Sequence, residues 1–281
     1  SSADQLVGGP SGGVTLITGD AVGNVGAIHL LSGTSQAEQA GSFELLVGSG
    51  IATGGNIDVV AGASSGAFSG GGVSIVSGSS SAGVGGDTMI TSGNSVATGG
   101  AITISSGAGD VAGSGYIDIS TTRGNGDSGE IKVATGQACA GESGSILLEA
   151  GMADGSTGGR VLLDVGNTVS GSAAGIEIGS GHTFSNDQTS PGGTVYLRAG
   201  NARVGPGGSL YVHSGESEGG MGGDVMISVG SGAEGGSVSV TGGEATGGSP
   251  SFSGGSIDLT SGSAANGNGG EIRVTSGDSE T

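Results

Sequence analysis

Residues 254–262 read GGSIDLTSG, and residues 269–277 repeat the pattern as GGEIRVTSG. Each stretch places two aliphatic residues two positions apart, with glycine before and after them. Such alternation is typical of a short β-strand with one buried face, and bracketing glycines mark turns or close approaches of the backbone. The stretch therefore predicts a strand with a glycine turn at each end.

The same pattern runs through the whole chain of 281 residues. When the first aliphatic position of each unit is taken as its anchor, eighteen units align with a mean spacing near 15 residues. Position +2 from the anchor is always aliphatic, position +5 is glycine in 17 of 18 units, and position −2 is glycine in 17 of 18. The anchors are Val14, Ile28, Phe43, Ile57, Val73, Thr88, Ile102, Ile117, Ile131, Ile146, Val161, Ile176, Val195, Leu210, Val225, Val238, Ile257 and Ile272.

The composition excludes a rounded globular core, because the chain has 70 Gly, no Trp, 4 Phe and 3 Tyr. Units that are too small to fold alone are expected to stack on one another. The sequence thus predicts an all-β protein, a parallel β-solenoid of about 18 short coils with a flattened two-layer cross-section. We expect one continuous solenoid over residues 1–281, as a segment of a longer repeat array. The structural alternative is a bundle of polyproline-like helices. Such a bundle requires glycine at every third residue, whereas the repeat in this chain has a period near 15 residues.

Two spacings of 19 residues interrupt the even repeat, at residues 182–191 and around residues 247–254. Extra residues between repeating units are expected to bulge as surface loops. These two stretches therefore predict loops that project from the repeat.

The charge of the chain restricts its partners. Six Lys and Arg residues stand against 25 Asp and Glu residues, which gives a formal net charge of −19. Nucleic acid and anionic membrane surfaces are therefore unfavourable partners. No apolar run approaches the length of a membrane span, so no membrane-spanning segment is expected. Because Cys139 is the single cysteine, a disulfide within the chain is excluded.

Catalytic and metal-binding patterns are missing from the sequence. His29, His182 and His213 lie far apart in the repeat, and no nucleophile elbow, phosphate loop or zinc-helix motif occurs. The acidic residues form no column on which calcium ligands would converge. We therefore expect no enzyme activity and no cofactor, with opportunistic Ca²⁺ binding confined to pairs of surface carboxylates such as Glu44 and Asp58.

Apolar residues also occupy positions that should face water in the predicted solenoid. Five consecutive units carry one at position +3, and later units carry apolar or aromatic residues at position +1, beside Arg198 and His213. Exposed apolar surface of this extent usually marks an interface, so we predict lateral packing between copies of the chain. The first stripe is Ile17, Leu31, Leu46, Val60 and Val76; the second is Leu147, Leu162, Tyr196, Tyr211 and Met226.

Through its recurring GGxIxLxSG units, the chain resembles glycine- and serine-rich β-solenoid repeat proteins of secreted, cell-surface or fibre type. The resemblance implies a non-catalytic structural protein, located outside the cell or on its surface. Such a protein would form a stiff rod that associates laterally or end to end into a filament, appendage, sheath or matrix. The alternative function is ligand binding, either to ice or, through Tyr196 and Tyr211, to glycans. No regular threonine row marks an ice-binding face.

Overall fold

The computed structural model describes residues 12–111, 113–155, 157–187, 189–247 and 252–278. Over these ranges the chain contains neither a helix nor a strand. The prediction of a parallel β-solenoid is therefore wrong, and with it the predicted two-layer cross-section. Contacts between Cα atoms group the chain into two units, Ser1–Ala134 and Thr135–Thr281.

The repeat is nevertheless visible in the backbone. Between every two consecutive anchors, the chain bends once, or bends and then turns, so seventeen connections alternate with unbent segments. The bend at residues 96 and 97, for example, separates the unit of Thr88 from that of Ile102. The sequence period thus marks where the chain changes direction, although the unbent segments do not form strands.

Serine hydroxyls hold several of these bends. Ser80 Oγ accepts a hydrogen bond of 2.8 Å from the Gly83 N–H, and Ser217 Oγ accepts one of 2.9 Å from the Gly220 N–H. Hydroxyl side chains commonly replace a backbone acceptor in this way at turns. Glycine serves a different purpose at Gly141, whose φ of 99° lies in the left-handed region that side chains resist.

A recurring backbone hydrogen bond closes the connections into loops. In eleven of them, the N–H of the glycine at −2 donates to the carbonyl of the preceding +5 glycine, as from Gly100 to Gly93 at 2.9 Å. A short loop whose ends meet is an Ω-type loop. Six connections do not form this bond: two of them lack one glycine of the pair, at Thr122 and at Ala174, and the other four have both glycines.

The two longer loops are closed in the same way. Gly193 donates to Gly181 across the first insertion, and Gly255 donates to Gly243 across the second, each at 2.9 Å. The stretch at residues 182–191 thus lies between two glycines joined by a backbone hydrogen bond, and its projection from the repeat remains a prediction. Residues 248–251 of the second predicted loop lie outside the described residues.

The solenoid fails in this chain because, over the described residues, no ladder of backbone hydrogen bonds joins one unbent segment to the next. Apart from the eleven closing bonds, the described backbone contains one other backbone hydrogen bond, from Ser190 to Asp187. Folded proteins form about two backbone hydrogen bonds for every three residues. Without a ladder between units, the two aliphatic side chains of each unit do not offset the entropy of ordering some fifteen residues.

The anchors were predicted to form the core, and this expectation is wrong as well. No described side chain is buried, and Ile57, Ile131 and Ile257 are each 52% exposed. Nine described residues are partly shielded, and seven of these lie at position +4, where the loop closes: Ala61, Ser77, Ser92, Ala150, Val165, Ala199 and Gly242. The best-packed points of the chain are therefore the loop necks.

Candidate interaction surface

The first apolar stripe is fully accessible. Its five members, Ile17, Leu31, Leu46, Val60 and Val76, are between 79% and 87% exposed. Each follows directly after the aliphatic residue at +2, so two neighbouring apolar side chains face solvent in every one of these units. The interface predicted here remains a prediction, since the structure contains a single chain.

The second apolar stripe is exposed to a similar degree. Leu147 and Leu162 are 80% and 66% exposed, and Tyr196, Tyr211 and Met226 lie between 77% and 88%. Arg198 and His213 are exposed as well. These seven residues were predicted to share one face of a solenoid; the described backbone does not provide that face.

Two local groups within the second stripe do come together. The rings of Tyr211 and His213 are stacked, with centroids 6.0 Å apart and an angle of 19° between planes. Tyr196, Leu197 and Arg198 line a shallow, open depression. Aromatic rings paired in this way with polar edges exposed are common where proteins contact partners.

The larger part of the exposed apolar surface lies at positions that the sequence pattern did not mark as exposed. The pattern assigned positions 0 and +2 to a core, whereas Leu30, Val59 and Ile104 at +2 are 67–70% exposed. The interaction surface therefore comprises positions 0 to +3 of the unbent segments, which we call the aliphatic segments, rather than two stripes alone. Without a solenoid to bury them, the aliphatic residues that recur in each unit are themselves the sequence feature that indicates this surface.

Glycine at −2 has a clear steric cause. A Cβ placed on Gly193 would lie 3.0 Å from the Gly181 nitrogen and 3.1 Å from the Ser180 Cβ. In the described units, the glycine at −2 always has the preceding unit within 4 Å, most often the side chain at +4. The small residues at +4 and the glycine at −2 are thus two sides of one contact, which the loop closure requires.

Glycine at +5 has no such cause. A Cβ placed on any of the 17 glycines at this position would meet nothing within 4 Å. None of the 17 has a φ in the left-handed region, since the positive-φ glycines are Gly141, Gly155, Gly171 and Gly267. The chain by itself therefore gives no reason for glycine at +5.

One acidic residue lies in a defined local structure. Asp187 Oδ1 accepts a hydrogen bond of 3.0 Å from the Thr189 N–H, and the Asp187 carbonyl accepts one of 3.1 Å from the Ser190 N–H. The bond from the Thr189 backbone stabilises the charged carboxylate and so lowers the pKa of Asp187 below its usual range. These contacts lie within the first long loop.

No metal centre is assembled within the described ranges. No three His, Cys, Asp or Glu side chains converge there, so the expected surface Ca²⁺ pairs remain a prediction. Cys139 is a free, exposed thiol. The described part of the chain contains no helix long and apolar enough to cross a membrane.

Comparisons with known proteins leave the family of the chain open. The resemblance to glycine- and serine-rich repeat proteins thus depends on the GGxIxLxSG units alone. No family model, curated protein or solved structure matches the chain.

Proposed function

We propose that the chain is a non-catalytic structural protein whose copies associate into an extracellular or cell-surface filament, appendage, sheath or matrix. The observation that carries this proposal is the solvent exposure of every aliphatic segment that the structure describes. The predicted stiffness of a solenoid rod is not part of the proposal, because the described backbone forms no sheet.

The exposed area is far larger than a folded monomer of this size presents. The chain exposes 28032 Å², whereas a compact monomer of 25.9 kDa exposes roughly 10,500 Å² and its extended chain roughly 37,500 Å². The excess is roughly 17,500 Å², about ten times the total area of an ordinary protein interface. A single small partner leaves most of this surface uncovered, which favours an assembly along the whole chain.

The distribution of chemistry also supports a structural role. Position +2 is aliphatic in all eighteen units and position 0 is apolar in seventeen of them, with Thr88 the exception, and no set of titratable side chains recurs with them. An enzyme concentrates its polar groups at one place, whereas a scaffold repeats one contact many times.

Electron microscopy of the native material and of the purified protein tests the proposal. We expect fibrous or sheet-like assemblies in both samples, and growth of assemblies with protein concentration. Dispersed single chains in both samples, at every concentration, would refute a structural assembly of copies.

Exposed tyrosines favour one second candidate function, which is the binding of glycans. Tyr196 is 88% exposed, and Tyr211 stacks with His213; sugar rings pack against such aromatic faces. A glycan array separates the two functions. Retention of one glycan class by the wild type, and loss of that signal in a Tyr196→Ala, Tyr211→Ala double variant, would support binding in place of assembly.

A further inference from the structure

We propose that the aliphatic segments are covered by second copies of this chain, matched unit to unit, and that the backbone of the neighbouring copy passes against the +5 glycines. The inference rests on the proposed function and adds the contact surface, the occupant and the reason for one glycine in each repeat.

The aliphatic segments provide the area that such a contact needs. Ile57 at the anchor and Val59 at +2 are 52% and 70% exposed, and Val60 at +3 is 87% exposed. Position +2 is aliphatic in every unit, position 0 is apolar in all units but that of Thr88, and position +3 is apolar in the first five units, so a neighbour that runs along the chain covers apolar surface at each step. The excess exposure of the chain exceeds by severalfold the roughly 1,200–2,000 Å² of a stable interface.

The repeat spacing identifies the occupant. The anchors are not evenly spaced: most intervals are 14 to 16 residues, one is 13, and two are 19. A partner that meets all eighteen units must present matching groups at the same intervals. A second copy of the chain meets this requirement because its repeat units have the same unequal intervals, whereas a regular polymer or a single globular domain does not.

The +5 glycines locate the closest approach. Inside one chain they have open space and ordinary backbone angles, yet glycine occupies 17 of 18 of these positions. Glycine without a conformational reason is expected where another backbone comes close. Position +5 also adjoins the aliphatic segment in every unit, so the same neighbour that covers positions 0 to +3 would reach it.

Two sets of four alanine substitutions test the inference. One set replaces glycines at +5: Gly62→Ala, Gly78→Ala, Gly93→Ala and Gly107→Ala. The control set replaces glycines in the loops that also have open space around them and no left-handed φ: Gly23→Ala, Gly113→Ala, Gly126→Ala and Gly235→Ala. Both sets remove the same amount of backbone freedom from the unfolded chain.

The readout is the concentration of half-maximal association in sedimentation velocity. We expect the +5 set to raise it by about tenfold or more, because methyl groups would enter a close backbone contact, and the control set to change it by less than about twofold. Hydrogen exchange of the closing glycine amides, measured at concentrations where chains are separate, should be equal in both sets and so show intact loops.

The possible results separate the inference from the function on which it rests. If the wild type assembles and the +5 set assembles equally well, the inference is overturned and the proposed function stands. Equal weakening by both sets overturns it too, because glycine content rather than position would then matter. A wild-type chain that never associates removes the proposed function itself.

Discussion

The two glycine positions of each repeat differ in what surrounds them. At −2, Gly193 lies against Ser180 and Gly181 of the preceding unit and donates the bond that closes the loop. At +5, Gly181 itself has free space where a side chain would be. The missing side chain at −2 thus allows the loop to close within the single chain, whereas the +5 residue contributes only its backbone carbonyl to that closure and has no steric reason to be glycine. The difference shows that a single chain closes eleven of its seventeen connections but buries none of its described aliphatic segments.

The largest effect is expected from charges placed on the aliphatic segments. Leu31→Lys with Leu46→Lys should weaken association by about a hundredfold or more, because each buries a charge where an apolar contact is needed. The concentration dependence of sedimentation measures this change.

The control for these substitutions adds the same charge to a neighbouring loop. This control is Gln36→Lys with Gln39→Lys. Both glutamines lie between the two leucines in sequence and outside the aliphatic segments. It should associate at least as well as the wild type. If both double variants behave alike, net charge and not the apolar surface governs association.

The next effect separates the two glycine positions within one loop. Gly193→Ala should open the neck between residues 181 and 193, because its methyl group would lie 3.0 Å from the Gly181 nitrogen. Overpacking of this kind costs about 1–3 kcal/mol, so the amide at position 193 should exchange about tenfold faster or more. The matched variant Gly181→Ala, at the open end of the neck, should leave that amide unchanged in separate chains. Equal acceleration by both variants would remove the distinction between the two positions.

A smaller effect is expected from salt. Copies that each carry a net charge of −19 repel one another, and screening shortens the range of that repulsion from about 30 Å at 0.01 M salt to about 8 Å at 0.15 M. Association should therefore strengthen severalfold over this range. The Gln36→Lys, Gln39→Lys variant, with less negative charge, should respond more weakly. Association that weakens with salt would mean that ion pairs, rather than apolar segments, hold the copies together.

The smallest effect concerns the hydrogen bond from the Thr189 N–H to Asp187 in the first long loop. The pKa of Asp187 is lowered by the Thr189 N–H, so the turn gains stability above the ordinary pKa of aspartate, about 3.9, and loses it as the pH falls through the lowered value. Exchange of the Thr189 amide, corrected for its intrinsic pH dependence, should accelerate below about pH 4. Asp187→Asn should show no such step. A step in both proteins would assign the effect to another group.

The local part of the structure was predictable from the sequence, and the nonlocal part was not. The period marked all seventeen bends, and a glycine at −2 and at +5 flanks every neck, because each neck joins residues only 7 to 12 positions apart. The glycine pair did not separate the eleven connections that close from the four that keep both glycines and do not close. Stacking of whole units depends instead on hydrogen bonds between segments. The alternation at Ile57 and Val59 is equally compatible with a core inside one chain and with a contact between chains. The sequence pattern therefore identified the apolar positions of the predicted interface, but it did not show whether positions 0 and +2 are covered within one chain or by a neighbour.

Sedimentation velocity of the unmodified protein across a wide concentration range tests the central claim most directly. Because the aliphatic segments find no cover inside one chain, we expect assemblies that grow with concentration and a monomer that survives only in dilute solution. A single species with the mass of one chain and the frictional ratio of a compact protein, unchanged over the whole concentration range, would show that the chain buries these segments itself. That result would contradict the account.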